Sequence, residues 1–113
     1  AVHAVEAWLM GDPESLSAFP GVGRGKIPSR PELLVDPKRA LVDIARDSRR
    51  RAVREEIAPP PGSKVRVGPG YAAELIEYAS EHWRPAIAAA NCDSLNRLRR
   101  YLRPGPKRER GLR

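Results

Sequence analysis

The chain has 113 residues, 41% of them hydrophobic and 31% charged, with a formal net charge of +7. That length suits one domain with a modest core, and no apolar run approaches the roughly 20 residues of a membrane helix. One cysteine, Cys92, excludes an internal disulfide framework, so a reducing cytoplasm is the expected setting.

The distribution of charge says more than its sum. Residues 1–96 hold 13 basic and 13 acidic side chains, whereas residues 97–113 hold eight basic residues and one acid, Glu109. A charge argument for a polyanionic partner therefore applies to that end alone. Twelve prolines cut the chain into short pieces, but helical periodicity persists between them, which argues against disorder.

In chain order, "AVHAVEAWLM" is apolar with Glu6 in its middle, and neither period is clean; it reads as a strand end running into a helix. Glu6 interrupts the stretch, which does not have the basic-then-apolar order of a signal peptide. "GDPESLSAF" supplies Asp12 as N-cap and Pro13 at N1 of a short helix ending near Phe19. Residues 20–35, rich in proline and glycine, form a connector.

The repeated signature Asp36-Pro37 opens what reads as the longest helix, Pro37 to Ile57, roughly 30 Å long. Leu41, Ile44, Ala45, Ser48 and Ala52 share one face. "APPPGSKVRVGPG" stops it, and its Lys64–Val67 alternation allows one short edge strand or an extended loop. A helix over Tyr71–Trp83 follows, with Ala72, Leu75, Ile76, Ala79 and Trp83 at the spacing of a buried stripe and Glu74, Glu77 and Glu81 outward. Pro85 starts a short alanine-rich turn or helix to Asn91. Asp93 or Ser94 caps a last helix to Arg103, with Leu95, Leu98 and Leu102 inward. The reading is mainly α: about five helices over residues 1–103 with long proline-rich connectors, then a basic, disordered tail over 104–113.

Several stretches invite a site. "SLSAFPGVGRGK" resembles the hairpin of a helix-hairpin-helix DNA clamp, but Pro28 and Pro31 disfavour helical backbone where the second helix would run. A glycine-rich exit from a helix is the favoured reading. Arg39, Arg46, Arg50 and Arg54 fall on one stripe that could follow a phosphate backbone; Asp43 and Asp47 lie on the same side, which favours a salt-bridged solvent face. His3 and His82 stand apart, and no metal-ligand spacing is visible. Cys92 reads as a small residue in or beside a helix. Glu6 among Val5, Ala7 and Trp8 is costly to bury without a partner; its plainer reading is a partly exposed side chain at an element edge. The basic end offers Arg97, Arg99, Arg100, Arg103, Lys107 and Arg108 as candidate nucleic-acid contacts.

"VEAWLMGDPESLSAF" followed by "DPKRAL", with "GPGYAAELIEYAS" and "WRPAIAAANCDSLNRLRRYL" downstream, resembles a bacterial family of Toprim-like proteins of unknown function. The resemblance implies that this chain is the C-terminal part of an α/β Toprim-like fold, in which a glutamate and an Asp-x-Asp pair hold Mg²⁺ for phosphoryl transfer. The sequence contains no Asp-x-Asp pair, so by this resemblance the metal-binding elements precede residue 1 and this chain holds no cofactor of its own. Glu6 would follow the catalytic core closely, making it the one catalytic candidate. It is then expected to be exposed, with Val2, Val5 and Trp8, on a surface that a missing N-terminal half or a second copy would cover. The implied function is a segment, not catalytic alone, of a Mg²⁺-dependent nucleic-acid phosphotransferase or nuclease, in the setting of defence against foreign DNA. Two alternatives stay open: a nonspecific DNA- or RNA-binding module acting through the basic end, and a helical interaction or oligomerisation piece.

Overall fold

The computed structural model describes residues 4–102. They form seven α-helices: α1 Ala4–Leu9, α2 Pro13–Ala18, α3 Pro37–Arg46, α4 Arg51–Ile57, α5 Tyr71–Glu81, α6 Pro85–Asn91 and α7 Asp93–Leu102. Two 3-10 turns, Arg24–Lys26 and Pro31–Leu33, lie in the connector between α2 and α3. No strand occurs among the described residues, and no helix among them is long and apolar enough to cross a membrane. The mainly α reading stands. Of the stretch that reads as a strand end running into a helix, residues 4–9 are helix, and residues 1–3, like the tail beyond Leu102, lie outside the described residues.

Both Asp-Pro signatures cap as expected. The Asp12 side chain accepts the Ser15 N–H and that of Asp36 accepts the Arg39 N–H, each with proline in the first turn. The Pro-Gly-Val-Gly stretch closes α2. Gly21, at φ 72°, sends its N–H to the Ala18 carbonyl, and Val22 sends its own to Ser17. These paired bonds around a left-handed glycine are a Schellman termination. A 3-10 turn then runs into extended Ile27, so the stretch is a helix exit and no second helix of a DNA clamp follows it.

The expected helix over 37–57 is two helices. The Ser48 hydroxyl donates to the Pro20 carbonyl at 2.6 Å and accepts the Arg50 N–H at 2.9 Å. Arg49 N–H also bonds to Pro20. A serine that offers the backbone an alternative partner ends a helix where no glycine or proline does. The break turns α4, so Val53 is buried and Ala52, expected on the core face, is exposed.

The core gathers Leu9, Met10, Leu16, Phe19, Ile27, Leu41, Ile44, Ala45, Val53, Ile57 and Tyr78. α5 meets it through a stripe rotated from the expected one. Leu75, Ala79 and Trp83 of the expected stripe are half-buried against the core and the fully buried Tyr78 joins them, while Ile76 is 65% exposed and Ala72 is exposed. Tyr78 donates to the Leu9 carbonyl at 3.1 Å and packs on Phe19 with ring centroids 5.4 Å apart. The same rotation draws Glu74, expected outward, to the edge of the core, where one carboxylate oxygen is buried without a hydrogen-bond partner.

A second cluster, Ala88, Ala89, Cys92 and Leu95, belongs to α6 and α7. Trp83 packs against both clusters and donates its indole N–H to the Trp8 carbonyl. α1 and α6 meet closely at Gly11: a Cβ there would lie 2.8 Å from Cys92 Sγ and 3.0 Å from the Ala88 carbonyl oxygen. Residues 64–67 bend, and the loop returns to α4 through Gly68 N–H to Ile57 and Gly70 N–H to Glu56. Of the two readings of Lys64–Val67, the short edge strand is not formed, and the stretch is loop.

Candidate functional site

α7 carries the described part of the basic end. Its first turn is anchored: Leu95 is buried, and the Glu32 carboxylate accepts the backbone N–H and the hydroxyl of Ser94. Neither Asp93 nor Ser94 caps the helix as expected. Asp93 pairs instead with Arg97, four residues on, and Ser94 Oγ also accepts the Trp8 indole N–H. The cap comes from Glu32, whose carboxyl lies below its usual range. Burial alone would raise it; the hydrogen bonds from Ser94 and Asp93 and the charge of Arg97 outweigh that.

Beyond Leu95 the helix leaves the body. Leu98 and Leu102, expected inward, are 38% and 64% exposed on the same face, and Tyr101 is 83% exposed. Arg97, Arg99 and Arg100 are all exposed. Arg97 is engaged by Asp93; Arg99 and Arg100 make no ion pair among the described residues. The arrangement is a cationic helix end with an exposed aromatic ring after its arginines, which can meet phosphates and stack on a base. Arg103, Lys107 and Arg108 lie outside the described residues.

Glu6 is half-buried on α1 and accepts the Tyr71 hydroxyl at 3.3 Å. Burial, reinforced by the Glu6 charge, pushes the Tyr71 phenol well above its ordinary range, and Lys38 Nζ stands 5.6 Å from the Tyr71 ring centroid. The expected exposed surface is therefore met only in part. Val5 is 56% exposed, but Trp8 is half-buried and hydrogen-bonded at both its indole and its carbonyl. Val2 lies outside the described residues. Among the described residues no group of three or more His, Cys, Asp or Glu side chains could hold a metal ion. With a phenol as its polar neighbour, Glu6 does not fit a Mg²⁺ centre built from the described residues.

The best-built polar constellation is Asp12 with Arg84, which residue spacing gave no sign of. Arg84 donates to the Asp12 carboxylate from its backbone N–H, Nε and Nη2, and to Glu14 from Nη2. It joins the start of α2 to the start of α6, and its place between helices marks it as structural. Cys92 is fully buried beside the Ala7 carbonyl, and burial, with the Glu32 charge, pushes its thiol up to about 11.

Each arginine of the stripe on α3 and α4 makes a contact. Arg39 pairs with Asp43 and Arg46 donates to the Pro59 carbonyl, while beside the stripe Arg51 pairs with Glu55 and Lys26 with Asp47. Arg50 donates to the Phe19 carbonyl and lies over its ring, and Arg54 donates to Ser48. The break at Ser48 also divides the stripe between two helix axes, so it does not track one line.

Comparison with known protein families, curated proteins and solved structures finds no match for this chain.

Proposed function

We propose that this chain is a helical nucleic-acid-binding segment that grips the phosphate backbone without sequence preference through α7 and the basic residues after it. The observation that carries the reading is the exposed end of α7, where Arg99, Arg100 and Tyr101 face solvent and no acid pairs with the two arginines among the described residues. Elsewhere basic side chains are matched by acids in number, and many are paired in space. The Toprim-like resemblance gives this binding a context: a segment that positions nucleic acid for a Mg²⁺-dependent nuclease or phosphotransferase whose metal-binding carboxylates lie outside this sequence. In that setting this chain contributes binding rather than chemistry, and Glu6 is an edge residue held by Tyr71.

Anisotropy of a labelled oligonucleotide, titrated with the full chain at several salt concentrations, tests this. Arg99→Gln/Arg100→Gln should weaken binding and flatten the salt slope by about 0.9 per lost phosphate contact on duplex DNA. Unchanged affinity and slope would overturn the reading. The exposed Leu98 and Leu102 favour a second one, a helix–helix contact; concentration-dependent self-association abolished by Leu98→Glu, with no oligonucleotide binding, would establish it.

A further inference from the structure

A second cationic feature lies away from α7. Asp36, Arg39, Arg46, Ser63 and Arg66 line an open cleft of about 490 Å³ between α3 and the loop that follows α4. Arg39 and Arg46, seven residues apart, share a face of α3; Arg66 reaches the cleft from the loop opposite. We propose that this cleft binds a phosphate group, with the three guanidiniums as its donors.

The hydrogen bonds support this. Each guanidinium carries five N–H donors, and the bonds found use few of them: Arg39 Nε to Asp43, Arg46 Nη1 to the Pro59 carbonyl at 3.5 Å, and Arg66 Nη2 to Asp36 at 2.7 Å. The remaining donors come from two chain segments, and planar guanidinium forks match the oxygens of a phosphate. Among the described residues Asp36 is the only acid lining the cleft, and it is occupied, one oxygen capping α3 and the other holding Arg66. That pair orients Arg66. Because it is an exposed pair of small net strength, the guanidinium can turn toward a ligand at little cost. The Ser63 hydroxyl accepts the Val65 N–H and retains its own proton to donate. The volume exceeds a single phosphate and admits a pyrophosphate unit or a short run of backbone. Two sources share this chemistry: a free phosphate compound and a nucleic-acid phosphodiester. The cleft is independent of the α7 reading, since no α7 residue lines it.

The test titrates the full chain at low salt with pyrophosphate, and separately with a single-stranded oligonucleotide lacking terminal phosphates. Binding is followed by calorimetry and by backbone amide shifts of residues 36–46 and 63–66. Saturable binding is expected, weakened roughly tenfold by Arg46→Gln and by Arg66→Gln, and unchanged by Arg51→Gln, whose side chain pairs with Glu55 outside the cleft. Thermal melts establish that the variants fold; the Arg66 side chain is 61% exposed, so that variant in particular should. Arginine-dependent binding of pyrophosphate assigns a free phosphate compound. Arginine-dependent binding of the oligonucleotide alone assigns a phosphodiester. Arg99→Gln/Arg100→Gln should leave pyrophosphate binding intact, which separates failure of this proposal from failure of the α7 reading. Absence of saturable binding of both probes, or affinities that ignore Arg46 and Arg66, would overturn the proposal.

Discussion

Asp12 and Arg84, 72 residues apart, are joined by three hydrogen bonds of 2.8–3.0 Å, and the Asp12 side chain is completely buried. The same carboxylate caps α2. One side chain thus fixes both where α2 begins and where α6 begins. Its neighbours give it a direct link to pH.

Burial raises the Asp12 pKa, but the hydrogen bonds from Arg84 and Ser15 together outweigh it and bring the carboxyl from 3.8 down to about 2. A depressed folded-state pKa stabilises above the unfolded value and loses that contribution as protons bind the native carboxylate. Stability should therefore be flat from neutrality to about pH 4 on this account and fall between about pH 4 and about pH 2. Asp12→Asn should lose about 2 kcal/mol at pH 7 and remove that part of the acid limb. Denaturant melts across pH check it; an acid limb equally steep in the variant would contradict it.

Tyr78→Phe keeps the ring against Phe19 but removes the donor to the buried Leu9 carbonyl. A loss of about 1–2 kcal/mol is expected in denaturant unfolding. Tyr78→Ala adds a cavity and should cost about 3–5 kcal/mol. Equal costs would mean that the ring contributes nothing beyond its hydroxyl.

Ser48→Ala removes the hydroxyl that binds the Pro20 carbonyl and receives the Arg50 N–H. The expected cost is about 1–3 kcal/mol, with faster amide exchange at Arg50. Ser48→Thr keeps the hydroxyl and should recover most of the loss; if it behaves like alanine, the bend at 47–50 is not held by this group.

Cys92 should resist alkylation in the native state. The thiol is buried and its pKa, pushed up to about 11, leaves little thiolate at neutral pH. Labelling by an excess of iodoacetamide should follow the opening rate, accelerate with denaturant, and be faster in Gly11→Ala, whose added Cβ crowds Cys92 Sγ. Rapid labelling of the folded chain would show that α1 and α6 separate readily.

What the sequence discloses is what local chemistry encodes. Asp12-Pro13 and Asp36-Pro37 carry their cap and first turn within four residues, and Pro28 with Pro31 exclude a helix in the connector by sterics alone. The bend at Ser48 is different: its partner, the Pro20 carbonyl, is 28 positions away, and no glycine or proline marks the place. On α5 two stripes compete. Leu75 and Ala79 belong to both; Tyr71 and Tyr78 recur with them as regularly as Ala72 and Ile76 do, and only packing against Phe19 and Leu9 decides between the two. The cationic end of α7 was legible from charge, whereas the exposure of Leu98 and Leu102 was not, because helical spacing gives a face without saying how far the body extends beneath it. The cleft of Arg39, Arg46 and Arg66 joins residues up to 27 positions apart across a loop whose path no local pattern specifies.

The Glu32 carboxylate on the Ser94 N–H makes the start of α7 a nonlocal event. A helix of ten residues is marginal by itself, and here the acceptor for its first N–H groups sits 62 residues earlier in the chain. The arginines of α7 are therefore displayed in register only while the Pro31–Leu33 turn is docked. Cut away as a peptide, the same residues would keep their charge and lose their geometry, and grafted onto another protein they would be a basic string rather than a rigid lever. Display of the cationic helix is thus conditional on the fold of a segment that carries none of its charge.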